Sequence, residues 1–309
     1  MWRLGLSTML WGSFLTTGIL AQQPFAGPGS GIVFDPPTRS VRSIVGVSGA
    51  AYLGGIVLPE VDFASVAPGG KAAVFTHEGK IWVISWAGGE ERRNVLSELP
   101  QEPQPIAAVW SSDGSAVVVT HASLHLLLNM ETLEAQEIVI EANQEVVAVA
   151  SAGRSLLLAD RAEQPNRLYF LKPGNAPHFA GDFQGPAPVF ISPAAALWVS
   201  AGGELVQYEI ENAATITLAA LDGVTVSALA SDSSGRSVFV AGAQLIRVFN
   251  MEQRSFVREI AAEAPIDRLL PLTDSAFLTS VRSDNDGTVW IFDRKQLAMI
   301  FVPARAVQQ

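Results

Sequence analysis

Four histidines and one acidic run are the side chains here whose types could bind a metal or carry a proton: His77, His121, His125, His178 and Asp284-Asn285-Asp286-Gly287. Zinc requires three or four convergent ligands with partners behind them to orient the rings. His121 and His125 lie four apart, but residues 124–128 are Leu-His-Leu-Leu-Leu and read as a strand, where that spacing gives no shared helical face. The histidines therefore read as strand-end or surface residues. The acidic run has the start of a calcium loop without its remaining ligands or terminal Glu, and Asp-Gly between apolar runs is the ordinary hairpin signal. Gly46-Val47-Ser48-Gly49-Ala50 lacks the spacing and the following helix of a nucleophile elbow. Cysteine is absent, which removes disulfides, thiolate zinc and thiol catalysis. No metal, cofactor or catalytic residue is expected.

What remains is a set of ionisable residues in short polar breaks between apolar runs: His77, His121, Asp160, Arg161, Arg282 and Asp284. Whether they converge depends on the elements that carry them. The clearest unit covers residues 224–260, with apolar runs at 224–230, 237–241, 245–249 and 256–260. Its breaks are Ser231-Asp232-Ser233-Ser234-Gly235, Gly242-Ala243 and the polar residues 250–254. β-Branched and aromatic runs of this length, cut by Gly, Ser and Asp, are strands. Similar units open near Phe63, Ile106, Val146, Val189 and Ile266, and the turn glycines Gly114, Gly153 and Gly235 stand 39 and 82 residues apart, one and two periods. Four strands recurring at about forty residues are the signature of a propeller blade. A sheet with two apolar faces is stable only when stacked, and arranging blades around an axis buries both faces while leaving short edges.

The expected fold is all-β: a single β-propeller of six blades over residues 31–304, each a four-stranded antiparallel repeat, with seven blades as the alternative and 305–309 as a tail. Ile32-Val33-Phe34-Asp35 matches Val289-Trp290-Ile291-Phe292-Asp293. Residues 31–47 therefore read as an N-terminal half-module that pairs with the last module (288–302) and closes the ring, and 48–60 as a Gly-rich connection. The tryptophans Trp82, Trp86, Trp110, Trp198 and Trp290 sit in or beside strands and read as packing anchors between blades.

Composition bounds the partners. Of 309 residues 49% are hydrophobic and 16% charged, as in a well-cored globular protein. Net charge is −10, and residues 1–21 hold one cation, Arg3, and no acid, so their removal leaves −11. A body this acidic repels phosphate backbones, which argues against nucleic acid as a partner. Met1-Trp2-Arg3, the apolar stretch 4–15 and the small residue Ala21 before Gln22-Gln23 have the order of a secretory signal. The apolar stretch is broken by Ser7, Thr8, Gly12 and Ser13 and is short for a bilayer span of about 20 residues. A cleaved signal at 1–21, a flexible lead-in at 22–30 and no stable membrane insertion of the mature chain follow as expectations.

The turn pattern apolar-x-apolar-x-Ser-x-Asp-Gly, present as Val109-Trp110-Ser111-Ser112-Asp113-Gly114 and, degenerate, as Ala230-Ser231-Asp232-Ser233-Ser234-Gly235, resembles the blades of YVTN and TolB-like propellers, a WD40-like repeat class. The opening residues 34–46 resemble those of secreted bacterial propellers. The Gly-His and Trp-Asp pairs of true WD40 blades are missing, as is the tryptophan docking motif of quinoprotein propellers. The signal-like start gives a periplasmic or extracellular protein as the expectation, and the lactonase-type members of the resembled class imply the alternative reading, a lactonase-like or other hydrolase with its active site at the channel mouth. The leading expectation is a non-enzymatic binding or scaffold module, a monomer that takes a protein, peptide or glycan of the envelope or the cell exterior. In a propeller the turns between second and third strands share one face, so His77, His121, Asp160, Arg161, Arg282 and Asp284 are the candidate ligand-binding residues. Mass spectrometry of the exported protein should place its N-terminus at Gln22 or within a couple of residues; an intact Met1 on envelope material would contradict the signal.

Overall fold

A computed structural model describes residues 29–46, 50–86, 89–99, 106–162, 164–262, 266–273, 276–281 and 289–303. Within them the chain forms seven antiparallel sheets, each from strands consecutive in sequence. Blade 1 is β1 (Gly29–Asp35), β2 (Ser40–Val45) and β3 (Tyr52–Leu58). Blade 2 is β4 (Phe63–Val66), β5 (Ala72–His77), β6 (Lys80–Ser85) and β7 (Arg92–Glu98); blade 3 is β8 (Ile106–Trp110), β9 (Ala116–His121), β10 (Leu124–Asn129) and β11 (Ala135–Glu137). Blade 4 is β12 (Gln144–Val149), β13 (Leu156–Asp160), β14 (Asn166–Leu171) and β15 (His178–Phe183); blade 5 is β16 (Val189–Ser192), β17 (Ala195–Val199), β18 (Glu204–Glu209) and β19 (Ala214–Ala220). Blade 6 is β20 (Ala228–Ser231), β21 (Ser237–Ala241), β22 (Leu245–Asn250) and β23 (Ser255–Ala261), and blade 7 is β24 (Leu270–Thr273), β25 (Ala276–Val281), β26 (Val289–Asp293) and β27 (Ala298–Val302).

The protein is therefore a single propeller of seven blades, not six. Two misread elements account for the difference. The described residues 31–46 do not supply outer strands to the last module; β1 and β2 pair with each other, Phe34 opposite Val41. The glycine-rich stretch taken as a connection is β3, which pairs with β2, Ile44 opposite Leu53. The reason is local packing. A Cβ on Gly54 would sit 2.5 Å from Val45 Cγ2 and 2.7 Å from Ser43 Oγ, so glycine is what lets this strand approach its bulged neighbour. Arg42 secures the bulge by donating to the carbonyls of Leu53 (3.0 Å) and Gly54 (2.9 Å) while its other arm meets the buried Asp35 carboxylate at 3.3 Å.

The ring is held by seven apolar clusters, one between each pair of adjacent blades. Val74 and Val83 of blade 2 meet Val119 and Leu128 of blade 3, and Phe170 of blade 4 meets Trp198 and Tyr208 of blade 5. Blade 1 is wedged at the seam. Ile32, Val41 and Leu58 pack on Ala73, Phe75 and Ile84 of blade 2. From its other face Val33, Ile44 and Leu53 pack on Leu272, Leu278, Ile291 and Val302 of blade 7. Closure thus comes from face-to-face burial in place of the expected strand pairing, with one backbone bond across the seam, Leu53 N–H to Pro303 O at 3.2 Å. Each large apolar side chain buried this way contributes about 1.5–3 kcal/mol.

The repeated Ser-Asp-Gly turn is an inter-blade device as well as a hairpin. In blade 3 the Ser111 hydroxyl donates to Asp113 Oδ1 (2.7 Å) and accepts from Ala116 N–H (2.9 Å), and Asp113 Oδ1 also accepts from Ser115 N–H (3.0 Å). Ser115 Oγ in turn accepts from Ala152 N–H of blade 4 at 2.7 Å. Burial pushes the Asp113 carboxyl up, but the hydrogen bonds from Ser115, Ser111 and Ser151 outweigh it and hold the group below its ordinary 3.8. The turn glycines sit against the preceding blade. A Cβ on Gly114 would lie 2.8 Å from Pro68 O, and one on Gly235 2.3 Å from Ile191 O.

That approach can be separated from simple backbone strain. Gly235 (φ +69°) and Gly79 (φ +70°) share a left-handed conformation, but nothing lies within 4 Å of a Cβ on Gly79. Alanine at either position should cost about 1–2 kcal/mol for the backbone. Gly235→Ala should lose about 1–3 kcal/mol more, because two blades are forced apart. Equal shifts in the urea midpoint for the two variants would show that the blades do not meet at this turn.

Candidate ligand-binding face

Antiparallel order places the turns β5–β6, β9–β10, β13–β14, β17–β18 and β21–β22 on one end of the ring, together with the links that lead from each outermost strand to the next blade. This end carries every described candidate residue. His77 closes β5 at a tight turn in which Glu78 (φ 48°) and Gly79 (φ 70°) are both left-handed. Its Nδ1 lies 2.9 Å from Glu60 O and its Nε2 3.9 Å from Glu78 Oε1. His121 ends β9 opposite Ile106, is only 5% exposed, and leaves Nε2 without a hydrogen-bond partner among the described residues. Next to it, His125 Nδ1 lies 3.0 Å from Thr120 Oγ1, and burial holds the His125 ring below its ordinary 6.5.

Asp160 and Arg161 form the one polar constellation among these residues. Asp160 ends β13 and is buried, accepting from Asn143 Nδ2 at 2.5 Å and from Ala162 N–H at 2.9 Å. Arg161 pairs through Nε with Glu145 Oε1, and its guanidinium lies 5.6 Å from the Phe183 ring centre. Asn143, Glu145 and Phe183 were absent from the sequence expectation because they come from other strands and links, 16 to 22 residues away. Polar residues at the start of an inner strand, such as Asn143 and Glu145, are shared by many surface links, and Phe183 on the outer strand β15 carries no polar signal. Between β11 and β12 the same link exposes Val139 at 93% while Ile138, whose N–H bonds His125 O at 2.9 Å, is buried. Arg282 and Asp284, with the rest of the 282–288 turn, lie outside the described residues.

The structure does not gather these groups into one pocket. His77 belongs to blade 2, His121 to blade 3 and Asp160-Arg161 to blade 4, and each is held by its own blade or by the link that enters it. None of the four lines the central channel, and no three His, Asp or Glu among the described residues are placed to hold a metal. The other screened residues are packing elements. His178 Nε2 lies 2.8 Å from Tyr208 Oη, Trp198 is in the core between blades 4 and 5, and Trp82 stacks on Phe75. Burial also raises the Tyr208 phenol above its ordinary value of 10.0.

The channel itself is a second concavity of about 630 Å3, walled by the innermost strands of all seven blades, β1, β4, β8, β12, β16, β20 and β24. Its lining is mostly Ala, Val, Leu, Pro and Phe. Trp110 belongs to it and donates from Nε1 to Ser65 Oγ at 2.9 Å, which joins blades 3 and 2 across the wall.

No family model matches this chain and no curated protein does. Solved structures do. A functionally unknown protein from Desulfotomaculum acetoxidans DSM 771 aligns over 86% of this chain and 92% of its own, with a TM-score of 0.58 at 14% identity. The β-propeller domain of Cps50 (Swd1) from Myceliophteria thermophila aligns over 80% of this chain and 87% of its own, TM-score 0.53, identity 11%. A chain of the mitotic checkpoint complex aligns over 79% and 85%, TM-score 0.52, identity 15%. At such identities the likeness establishes the β-propeller fold.

The His125 ring supplies a pH test of this face. A histidine held below its ordinary value favours the neutral form when folded, so the unfolded chain takes up the proton first as pH falls. Its contribution is present above pH 6.5 and is lost as pH drops from there through the folded value. His125→Gln should therefore lose less stability than the wild type in urea melts between about pH 7.5 and 5.5. Parallel losses would show that the ring titrates as a free imidazole.

Proposed function

We propose that this chain is a secreted, non-enzymatic propeller that holds a protein segment against the face bearing Arg161. The observation that carries the reading is one link that bears an exposed apolar side chain and leads into the groups that order Asp160 and Arg161. Val139 projects into solvent, and the link that bears it continues to Asn143 and Glu145, which fix Asp160 and Arg161. Protein interfaces combine apolar contacts with a polar, solvent-accessible rim, and Arg is enriched among the residues that carry their binding energy. The ring supports the reading because its turns are fastened to rigid strands, so little ordering entropy remains for binding to spend. The likeness to propellers found in a multi-chain complex is consistent with a protein as the partner. Export, envelope residence and a monomeric state belong to the same proposal. They rest on the signal-like start and on an acidic, cysteine-free composition.

The test is a photo-crosslinker placed at residue 139 in the exported protein, with one at Val257, an exposed position on the outer strand β23 of blade 6, as control. A single partner protein should be captured from residue 139 and not from 257. Arg161→Ala with Val139→Glu should abolish capture by native pull-down of that partner while the melting temperature stays within a few degrees, since both side chains are exposed. Undiminished binding by the double variant would overturn the assignment of the face.

A further inference from the structure

The central channel differs from the loop face in chemistry. Its described wall is apolar around the whole ring, with Phe63, Val109, Val147, Val189 and Leu229 contributed by successive inner strands. Arg268 is the one charged side chain among the described lining residues. It stands just ahead of β24, where its N–H donates to Thr279 O at 3.2 Å, two residues before the end of β25. That position is the mouth on the same end of the ring as Arg161. Two apolar side chains near this mouth face open space: Leu270, 50% exposed, and Ala107, the second residue of β8. A half-exposed leucine inside a ring whose other apolar faces are closed marks surface that water covers at a cost.

We infer that the channel binds an amphipathic monocarboxylate, its apolar chain along the inner strands and its carboxylate on Arg268. Three observations select that class. About 630 Å3 falls in the range of small-molecule pockets, too small for a folded segment and large enough for an alkyl chain. The inner strands β4 and β24 are each four residues, a run of about 13 Å, so a chain of medium length spans the apolar zone. The head is a singly charged anion because the one guanidinium is already shared with Asp267, Oδ2 at 3.4 Å, which leaves less than a full positive charge for a ligand. A dianionic phosphate needs more positive charge than this mouth offers. The inference is independent of the proposed protein-binding face: no residue is common to the two, and either can fail alone.

The experiment is titration calorimetry of the full mature chain with decanoate, decyl phosphate and decyltrimethylammonium, each below its micelle concentration. Decanoate should bind at one site, with a negative heat-capacity change that reports apolar burial. The cation should not bind, and the phosphate should bind more weakly than the carboxylate. Arg268→Gln should weaken decanoate about tenfold, the loss expected for one charge-assisted contact. Ala107→Phe, which fills the channel from an already exposed position, and Leu270→Glu, which sets a negative charge beside the head, should both abolish binding. Unchanged melting curves would show that these variants still fold. No heat from decanoate, equal binding of the cation, tighter binding of the phosphate, or full affinity in Ala107→Phe would each overturn the inference.

Discussion

Every blade of this protein has two apolar faces, and neither can be left in water. A strand such as β21, Ser237–Ala241, is buried at four of its five positions, so its neighbours on both sides must be sheets. That requirement sets the ring. Sheets stacked face to face with the native twist turn steadily about an axis, and the stack is complete only when the last blade covers the first. The seven apolar clusters are the same interaction repeated, and the seam between blades 7 and 1 is no weaker in kind than the others, with Ile44 and Leu53 set against Leu278 and Ile291. Without a disulfide, closure rests on this burial and on the Leu53–Pro303 backbone bond.

The same constraint explains where chemistry is possible. Side chains inside strands are committed to packing, and even a tryptophan on the channel wall spends its N–H on Ser65 of the next blade. Many ionisable groups stand at strand ends and in links, where several find a partner nearby. Asp160 takes Asn143, Arg161 takes Glu145, and His77 takes Glu60 O. A ring built this way distributes these polar groups along a rim. The channel wall, where the blades come closest, is mostly apolar among the described residues.

The tight fit of the turns adds specificity to this burial. Gly114 against Pro68 O and Gly235 against Ile191 O allow one blade's first hairpin to rest on the preceding blade's backbone. The Ser115–Ala152 bond ties the turn of blade 3 to the turn of blade 4. Such contacts fix the angle between blades, whereas apolar area alone is tolerant of sliding. That division of labour accounts for Ser, Asp and Gly at these turns of blades 3 and 6, beside apolar positions that vary freely between Val, Leu, Ala and Phe.

Strand and turn chemistry is local, and the sequence alone determined it. Runs of β-branched and aromatic residues, broken at about forty-residue intervals by short turns of Gly, Ser, Pro and Asp, specify the four-stranded units of blades 2 to 7 and therefore the propeller. The loop face is equally legible, since antiparallel order puts His77, His121, Asp160 and Arg161 on one end without further information. The blade count was decided by tertiary structure. Gly54 and Gly55 carry no strand signal, and they lie in β3 only because the bulged β2, with Val45 and Ser43 pressed against it, excludes any Cβ at Gly54. The likeness of Ile32-Val33-Phe34-Asp35 to β26 points to a third strand, yet β1 is innermost, because its two faces are what blades 2 and 7 require to be covered. His121 is buried and Arg161 is paired for the same reason: Ile106 opposite His121 and Glu145 beside Arg161 stand on the neighbouring inner strands of the same blades, and only strand pairing brings them together.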